Sequence, residues 1–459
     1  MLGSPSATAL DLSGSEEYSP SFGFPRIAWF GNFSVCGPKW TASSNFTQMT
    51  IAQQSLNAGA TPTDQSLRAF DGVNFFVGSA LAGFGPFVTV FLGEQDWRQE
   101  DIGFVLTVGG IAGLVSQYPG GELLDAARSK RLVLALGISV VGLSALMMGL
   151  WPTYAVVLIA LVLLGSTGGF VGPAIPAISL GLVGQPALAE RLGRNQRFQS
   201  AGSLAAAGLM GMLGYVLSNR VIFFAAALLA VPALVALTRI RSAEVDFGRS
   251  VGIPDHHEAT APPRARRAML WTDRSLVIFA ACLFLFQMAN ASILPLIGGT
   301  LSHHVGRYSS LSMAVLVVVP QVLVVLAAPW IGRQAQNWGR RPLLLVGFGV
   351  LPVRALLLLL TTDPVLVVAA QLLDGISGSV LGVLQPLIIA DLTGRTGRFN
   401  LAQGFVGTFS GVGASLSTTL SGLIAGNFGL TAGFVAITAI ALIALLVAWG
   451  LLPETRQRA

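Results

Sequence analysis

The sequence predicts an all-α membrane protein whose twelve transmembrane helices form two pseudo-symmetric bundles of six. Three observations lead there: a composition hostile to water, twelve apolar runs of spanning length, and a repeat that lays one half of the chain over the other. Of 459 residues, 53% are hydrophobic and 10% charged, against about 25% charged in a soluble domain. The 54 glycines suit helices in lipid, where small residues let backbones approach closely. Two cysteines, Cys36 and Cys282, are too few for a disulfide framework.

A helix crossing a ~30 Å hydrocarbon core needs about 20 apolar residues. Residues 1–68 hold no such run; rich in Ser, Thr, Gly and Pro, they read as a disordered cytoplasmic tail. Six runs follow at 69–93, 101–124, 131–151, 153–178, 198–217 and 221–240, which make the first bundle, residues 69–240. Trp151-Pro152-Thr153 forces the third and fourth into a hairpin, and 179–197 reads as a loop. Residues 241–274, with mixed charges and Pro262-Pro263, read as a cytoplasmic linker. Six more runs at 275–298, 309–331, 342–361, 364–389, 401–425 and 430–452 form the second bundle, 275–452, before a short tail, 453–459.

Orientation follows from the basic residues, which stay on the cytoplasmic side. Twenty Lys and Arg fall in one set of loops and tails, against Arg98, Arg220 and Arg307 on the other side. Both termini are therefore expected in the cytoplasm of a multi-pass plasma membrane protein. The preponderance of Arg over Lys is read as the codon usage of a GC-rich bacterium, so that membrane is the inner one. The net charge of +6 lies in these loops and implies lipid, not nucleic acid, as its neighbour.

The repeat is seen by shifting the chain on itself. At about 211 residues, Gly121-x-x-x-Asp125 falls on Gly332-x-x-x-Gln336, and Lys130 on Arg341. At 210, Gly165, Gly168, Gly172 and Pro176 fall on Gly375, Gly378, Gly382 and Pro386. A shift of 205 is expected beyond a loop difference, with Asn195, Gly202 and Gly208 on Asn400, Gly407 and Gly413. Parallel six-helix repeats let one half rock against the other about a central site.

The loop Gly121-Glu122-Leu123-Leu124-Asp125-Ala126-Ala127-Arg128-Ser129-Lys130-Arg131 resembles the G-x-L-A-D-R-x-G-R-R signature of the major facilitator superfamily. The loop from Gly332 through Gly339, Arg340 and Arg341 is similar, and Pro453-Glu454-Thr455-Arg456 follows the last helix as in that family. The resemblance covers residues 69–456. It implies a cytoplasmic latch made by Gly121, Asp125, Lys130, Arg131, Gly332, Gly339, Arg340 and Arg341. Because Gln336 replaces the second acid, the first-half latch is expected to dominate.

Ionisable groups inside spans are costly and mark functional sites. Two sit deep. At 1.5 Å per residue, Arg354 lies ~18 Å from one end of its span and Asp374 ~15 Å from the far end of the next, so the two can pair. Asp374 then either binds substrate or a coupling proton, or serves as half of a structural ion pair. Asp71 and Asn74, and Gln287 and Asn290, stand on helices that the resemblance places at the cavity, with Gln371 a further polar candidate; Asp71 reads equally as an interfacial acid.

Other chemistries are not supported. His256-His257 and His303-His304 are adjacent pairs in loops, not i, i+4 pairs on a helix, so no metal site is expected. No cofactor motif or phosphate-binding G-x-x-x-x-G-K-[ST] loop is found, and no paired-carboxylate or nucleophile pattern suggests an enzyme. The resemblance implies a secondary transporter of a small organic solute, expected to be monomeric; Asp374 points to proton coupling, and the mostly neutral polar and apolar groups of the inferred cavity favour efflux. Uptake of a sugar or other metabolite, and a non-transporting sensor, are the alternatives.

Overall fold

The computed structural model describes residues 62–252, 270–297, 309–361, 363–394 and 396–455. The tail expected over residues 1–68 lies outside these residues as far as Thr61, and the middle of the linker, 253–269, lies outside them too.

In the first half, α1 (Asp64–Ala82) begins before the expected residue 69, where Thr63 caps it by accepting from the Ser66 N–H. The chain turns at Gly83 and Phe84 and continues as α2 (Gly85–Glu94), so the expected single run 69–93 is two pieces. Next come α3 (Gln99–Ala126), α4 (Lys130–Leu150), α5 (Tyr154–Val216) and α6 (Asn219–Thr238). At 63 residues, α5 is too long for one crossing; it breaks at Gly184, where φ is +67°. The loop expected at 179–197 is thus a corner at one glycine, and Arg191 and Arg194 stand on helix.

In the second half, α7 (Phe247–Ser250) precedes α8 (Arg274–Asn290), α9 (Ser309–Asn337), α10 (Arg340–Leu360), α11 (Pro364–Thr393), α12 (Phe399–Phe428) and α13 (Leu430–Leu451). Among the described residues, ten helical segments are long and apolar enough to cross a membrane. Counting α5 as two crossings and adding α12 gives the twelve expected. Leu136, Leu143, Ile159, Leu228, Leu442 and Leu446 are exposed apolar residues on this surface, as lipid contact requires.

Equivalent contacts recur in both halves. A Cβ on Gly165 would meet the Gly109 carbonyl, as one on Gly375 would meet that of Pro320. Gly202 lies on Phe75 as Gly413 lies on Phe284. The second pair corrects the 205-residue shift: Gly202 is equivalent to Gly413, so a shift near 210 holds here as well. The signature loops also need correction. Lys130 donates to the Leu124 carbonyl, as Arg340 does to that of Ala335. Arg131 reaches the Leu237 carbonyl at the end of α6, and Arg341 that of Trp449 near the end of α13. Lys130 therefore matches Arg340, not Arg341. The second loop is one residue shorter, and it closes through Gly339, whose φ is +96°, a conformation only glycine adopts freely.

The halves meet at the end carrying the basic loops. There α3 packs on α12, and α5 on α9 and α11. Backbones nearly touch: a Cβ on Gly121 would lie 2.3 Å from the Asn400 carbonyl, and one on Gly332 2.5 Å from that of Ala189. Toward the opposite end the helices stand bare, with Tyr215 93% and Phe428 78% exposed. Close approaches of glycines to the opposite half run from Gly121 and Gly332 at the basic end to mid-span, where Gly411 meets Leu114, so the bundle is closed at its basic end.

Candidate functional site

Arg354 is the centre of a polar cluster built by three helices of the second half. From α10, its Nη1 donates to Asp374 Oδ1 on α11 at 2.5 Å and to Asn290 Oδ1 on α8 at 2.8 Å, while Nη2 donates to Gln371 Oε1. The predicted pairing of Arg354 with Asp374 is present, and it gathers Asn290 and Gln371 as well. The cluster forms where α8 ends: Asn290 is its last residue, Ala291 and Ser292 turn, and helix resumes at Ile293. Gln287, one turn earlier, is half-buried and bonds to no described side chain.

The two charges differ in access. The Arg354 side chain is 4% exposed and that of Asp374 33%. Which way Asp374 looks follows from its helix. Along α11, Val365, Ala369 and Leu372 form one exposed stripe, all apolar, facing lipid. At 100° per residue, Asp374, Gly378, Leu381 and Gln385 form a second accessible stripe on the opposite face. Asp374 therefore lies on the face of α11 opposite its lipid-facing stripe.

Asp71 and Asn74 do not join this cluster. Asp71 is clasped by Arg191 at 2.7 Å and by Arg194 at 2.6 Å. Arg191 also donates to Asn195, whose amide reaches Ser179, and Asn74 donates to Asn195 and to the Phe70 carbonyl. This network ties α1 to both arms of α5 across the Gly184 corner. The sequence reading placed Arg191 and Arg194 in a loop and so missed them; their i, i+3 spacing across from an acid was the available signal.

At the basic end, Asp125 accepts from the backbone N–H of Asn400 at 3.2 Å and of Leu401 at 2.9 Å, and from the Asn400 side chain at 2.8 Å. One carboxylate of the first half thus caps α12 of the second, where a negative charge meets the positive end of the helix dipole. The other signature loop also bridges the halves. Gln336, standing where the acid was expected, donates its amide to the Pro186 carbonyl at 2.8 Å. Gln185 donates to Asp391 at 3.0 Å, and Asp391 also holds Arg340 at 2.9 Å. Asp391 and Gln185 were not anticipated, since neither belongs to a signature loop. Glu454 caps α10 through the N–H groups of Arg340 and Arg341.

The linker adds a third tie. Glu244 is buried and accepts from Thr63, while Asp246 N–H meets the Gly181 carbonyl, both in the first half. The carbonyls of Ser250 and Val251 accept from Asn400 and Phe399 in the second. Burial pushes the Glu244 carboxyl up, but hydrogen bonds from Thr63 and Ser66 and the nearby Arg241 outweigh it and hold the group below its usual value.

Most of the chain matches known proteins. The family profile of the Major Facilitator Superfamily covers residues 72–301 and 279–459. An uncharacterized MFS-type transporter of Mycobacterium tuberculosis is 37% identical over 389 residues, 84% of this chain and 93% of that one. Multidrug resistance protein 2 of Bacillus subtilis is 21% identical over 76% of this chain and 86% of its own. Among solved structures, FucP in its outward conformation superposes with a TM-score of 0.68 at 12% identity, over 85% of this chain and 99% of that one. The human organic anion transporter MFSD10 (TETRAN) gives 0.61 at 14%, over 84% and 99%. On these grounds the chain belongs to the Major Facilitator Superfamily.

Proposed function

We propose that this chain is a secondary active transporter that carries a small organic solute across the bacterial inner membrane by alternating access, coupled to protons. The observation that carries the reading is Asp374: an acid in mid-span, a third exposed, on the interior face of α11, with its arginine buried behind it. An ionisable group so placed is costly unless it has work to do. Asp374 alternates between a proton and the solute, and Arg354, itself braced by Gln371 and Asn290, holds its carboxylate toward the cavity.

With both termini and the basic end in the cytoplasm, the conformation described is outward-open. Asp125 on α12, and Gln336 and Asp391 against the corner of α5, then form a two-part cytoplasmic latch that must part for the inward-open state. The protein acts as a monomer, since one chain supplies both six-helix bundles and the whole of the Asp374 cluster. Efflux is favoured over uptake; the cavity face offers few charges, and a named relative, at low identity, is a multidrug resistance protein.

Purified protein in liposomes, assayed with a solute panel with and without an imposed pH gradient, tests this. Movement of a solute that accelerates with the gradient is expected. A protein that moves none of the panel under either condition contradicts the reading.

A further inference from the structure

Arg354 makes the deep site look ready for an anion, yet it is shut away from the cavity. Of its five N–H groups, the two of Nη1 serve Asp374 and Asn290 and one of Nη2 serves Gln371. Nε is buried, and the side chain as a whole is only 4% exposed. A solute arriving from the interior meets the carboxylate instead. One oxygen of Asp374 takes Arg354, and no described residue donates to the other. An ionised carboxylate only accepts hydrogen bonds. The pair is therefore a dipole whose negative end faces the cavity and whose positive end is shut behind it.

The surroundings reinforce this. Arg354 is the one charged group that the described residues of α8, α9 and α10 bring to this level; α8 contributes the neutral Asn290, and α9 the apolar Pro320 and Leu323 beside Gly375. One turn along the interior face of α11, Gly378 leaves the surface open: a Cβ there would meet only Val324, at 3.6 Å. A flat or ring-bearing group has room beside the carboxylate.

We infer that the site selects by charge: it takes an organic cation onto the free oxygen of Asp374 and turns anions away. This rests on the proposed transport reading for its site, but binding alone tests it. Protons compete with the cation for the same oxygen, so binding weakens as the site is protonated.

The probes are tetraphenylphosphonium and tetraphenylborate, matched in size and shape and opposite in charge, titrated calorimetrically into the detergent-solubilised protein. The phosphonium should bind and the borate should not. Asp374→Asn should weaken phosphonium binding about 10- to 100-fold, the loss of one charged contact, while Asp374→Glu keeps most of it. If Asp374→Asn fails to fold, wild-type protein suffices: phosphonium affinity must fall with pH through a single protonation. Preferential borate binding, binding of neither probe, or phosphonium binding indifferent to both Asp374 and pH overturns the inference. The two readings fail separately. Phosphonium binding at Asp374 with no transport of any solute sinks the transport reading and leaves charge selection standing. Gradient-driven transport of an anion without phosphonium binding does the reverse.

Discussion

Replacing Asp125 with alanine should open the basic end. The carboxylate accepts two backbone N–H groups at the start of α12 and the Asn400 amide. Losing an N-cap costs about 0.5–2 kcal/mol, losing a charge at a helix N-terminus about 0.3–1 kcal/mol, and leaving one N–H of the buried Asn400 amide unpaired, the other still on the Ser250 carbonyl, about 1 kcal/mol or more. Together these come to about 2–4 kcal/mol. Because every one of these bonds joins the two halves, the loss falls on the conformation closed at the basic end and spares the other. At ~1.4 kcal/mol per tenfold, the closed population falls about 30- to 700-fold relative to the open one. Asp125→Asn keeps an acceptor and should cost about 1 kcal/mol, a shift of about 5-fold. Nitroxides on Arg128→Cys and Arg333→Cys, exposed positions in opposite halves, report the gap by pulsed dipolar spectroscopy. A longer-distance population should appear in Asp125→Ala and be smaller in Asp125→Asn. An unchanged distance distribution in Asp125→Ala would refute the latch.

Other outcomes follow from the same contacts. A Cβ on Gly404 would lie 2.2 Å from the Gln117 carbonyl, whereas one on Gly407 would strike only the end of the Gln117 side chain. Gly404→Ala should therefore lengthen the same spin-label distance, at a cost of about 1–3 kcal/mol, and Gly407→Ala should do so less; the reverse order counts against backbone contact as the seal. Arg354→Leu alone strands a carboxylate and should lower the detergent melting temperature sharply, by about 3–5 kcal/mol of stability, whereas Arg354→Leu with Asp374→Leu should recover much of it. If the double variant also transports normally, the pair is scaffolding. Glu244 is held below its usual value, so it contributes stability above its unfolded pKa of about 4.3 that is lost as pH falls through the lowered folded value. Melting curves of wild type minus Glu244→Gln should converge as pH drops toward that value; a constant difference rejects the linker tie.

Much of the architecture was legible because lipid imposes a simple rule: a span must be long and apolar. Hence the twelve crossings were found, and the pairing of Arg354 with Asp374 followed from equal depth. What was missed depended on backbone geometry or on distant partners. Gly184 turns α5 without a polar loop to announce it, because the flanking Arg191 and Arg194 both pair with Asp71. The one-residue difference between the signature loops is absorbed by Gly339, and a count of residues alone set Lys130 over the wrong arginine. Gln336 looked like a lost acid; its amide instead finds the carbonyl of Pro186, a partner 150 residues away that no local pattern marks. The linker read as irregular because Glu244 and Asp246 are polar, yet those groups fasten it to the bundle.

The central claim, that Asp374 couples proton to solute, is tested most directly by comparing two modes of transport in one variant. In liposomes carrying Asp374→Asn, exchange of labelled for unlabelled solute at equal pH should persist once the solute concentration is raised about 10- to 100-fold to offset the weaker binding, because rocking between states needs no net proton movement. Accumulation driven by a pH gradient should vanish. Gradient-driven accumulation equal to wild type in Asp374→Asn would contradict the account.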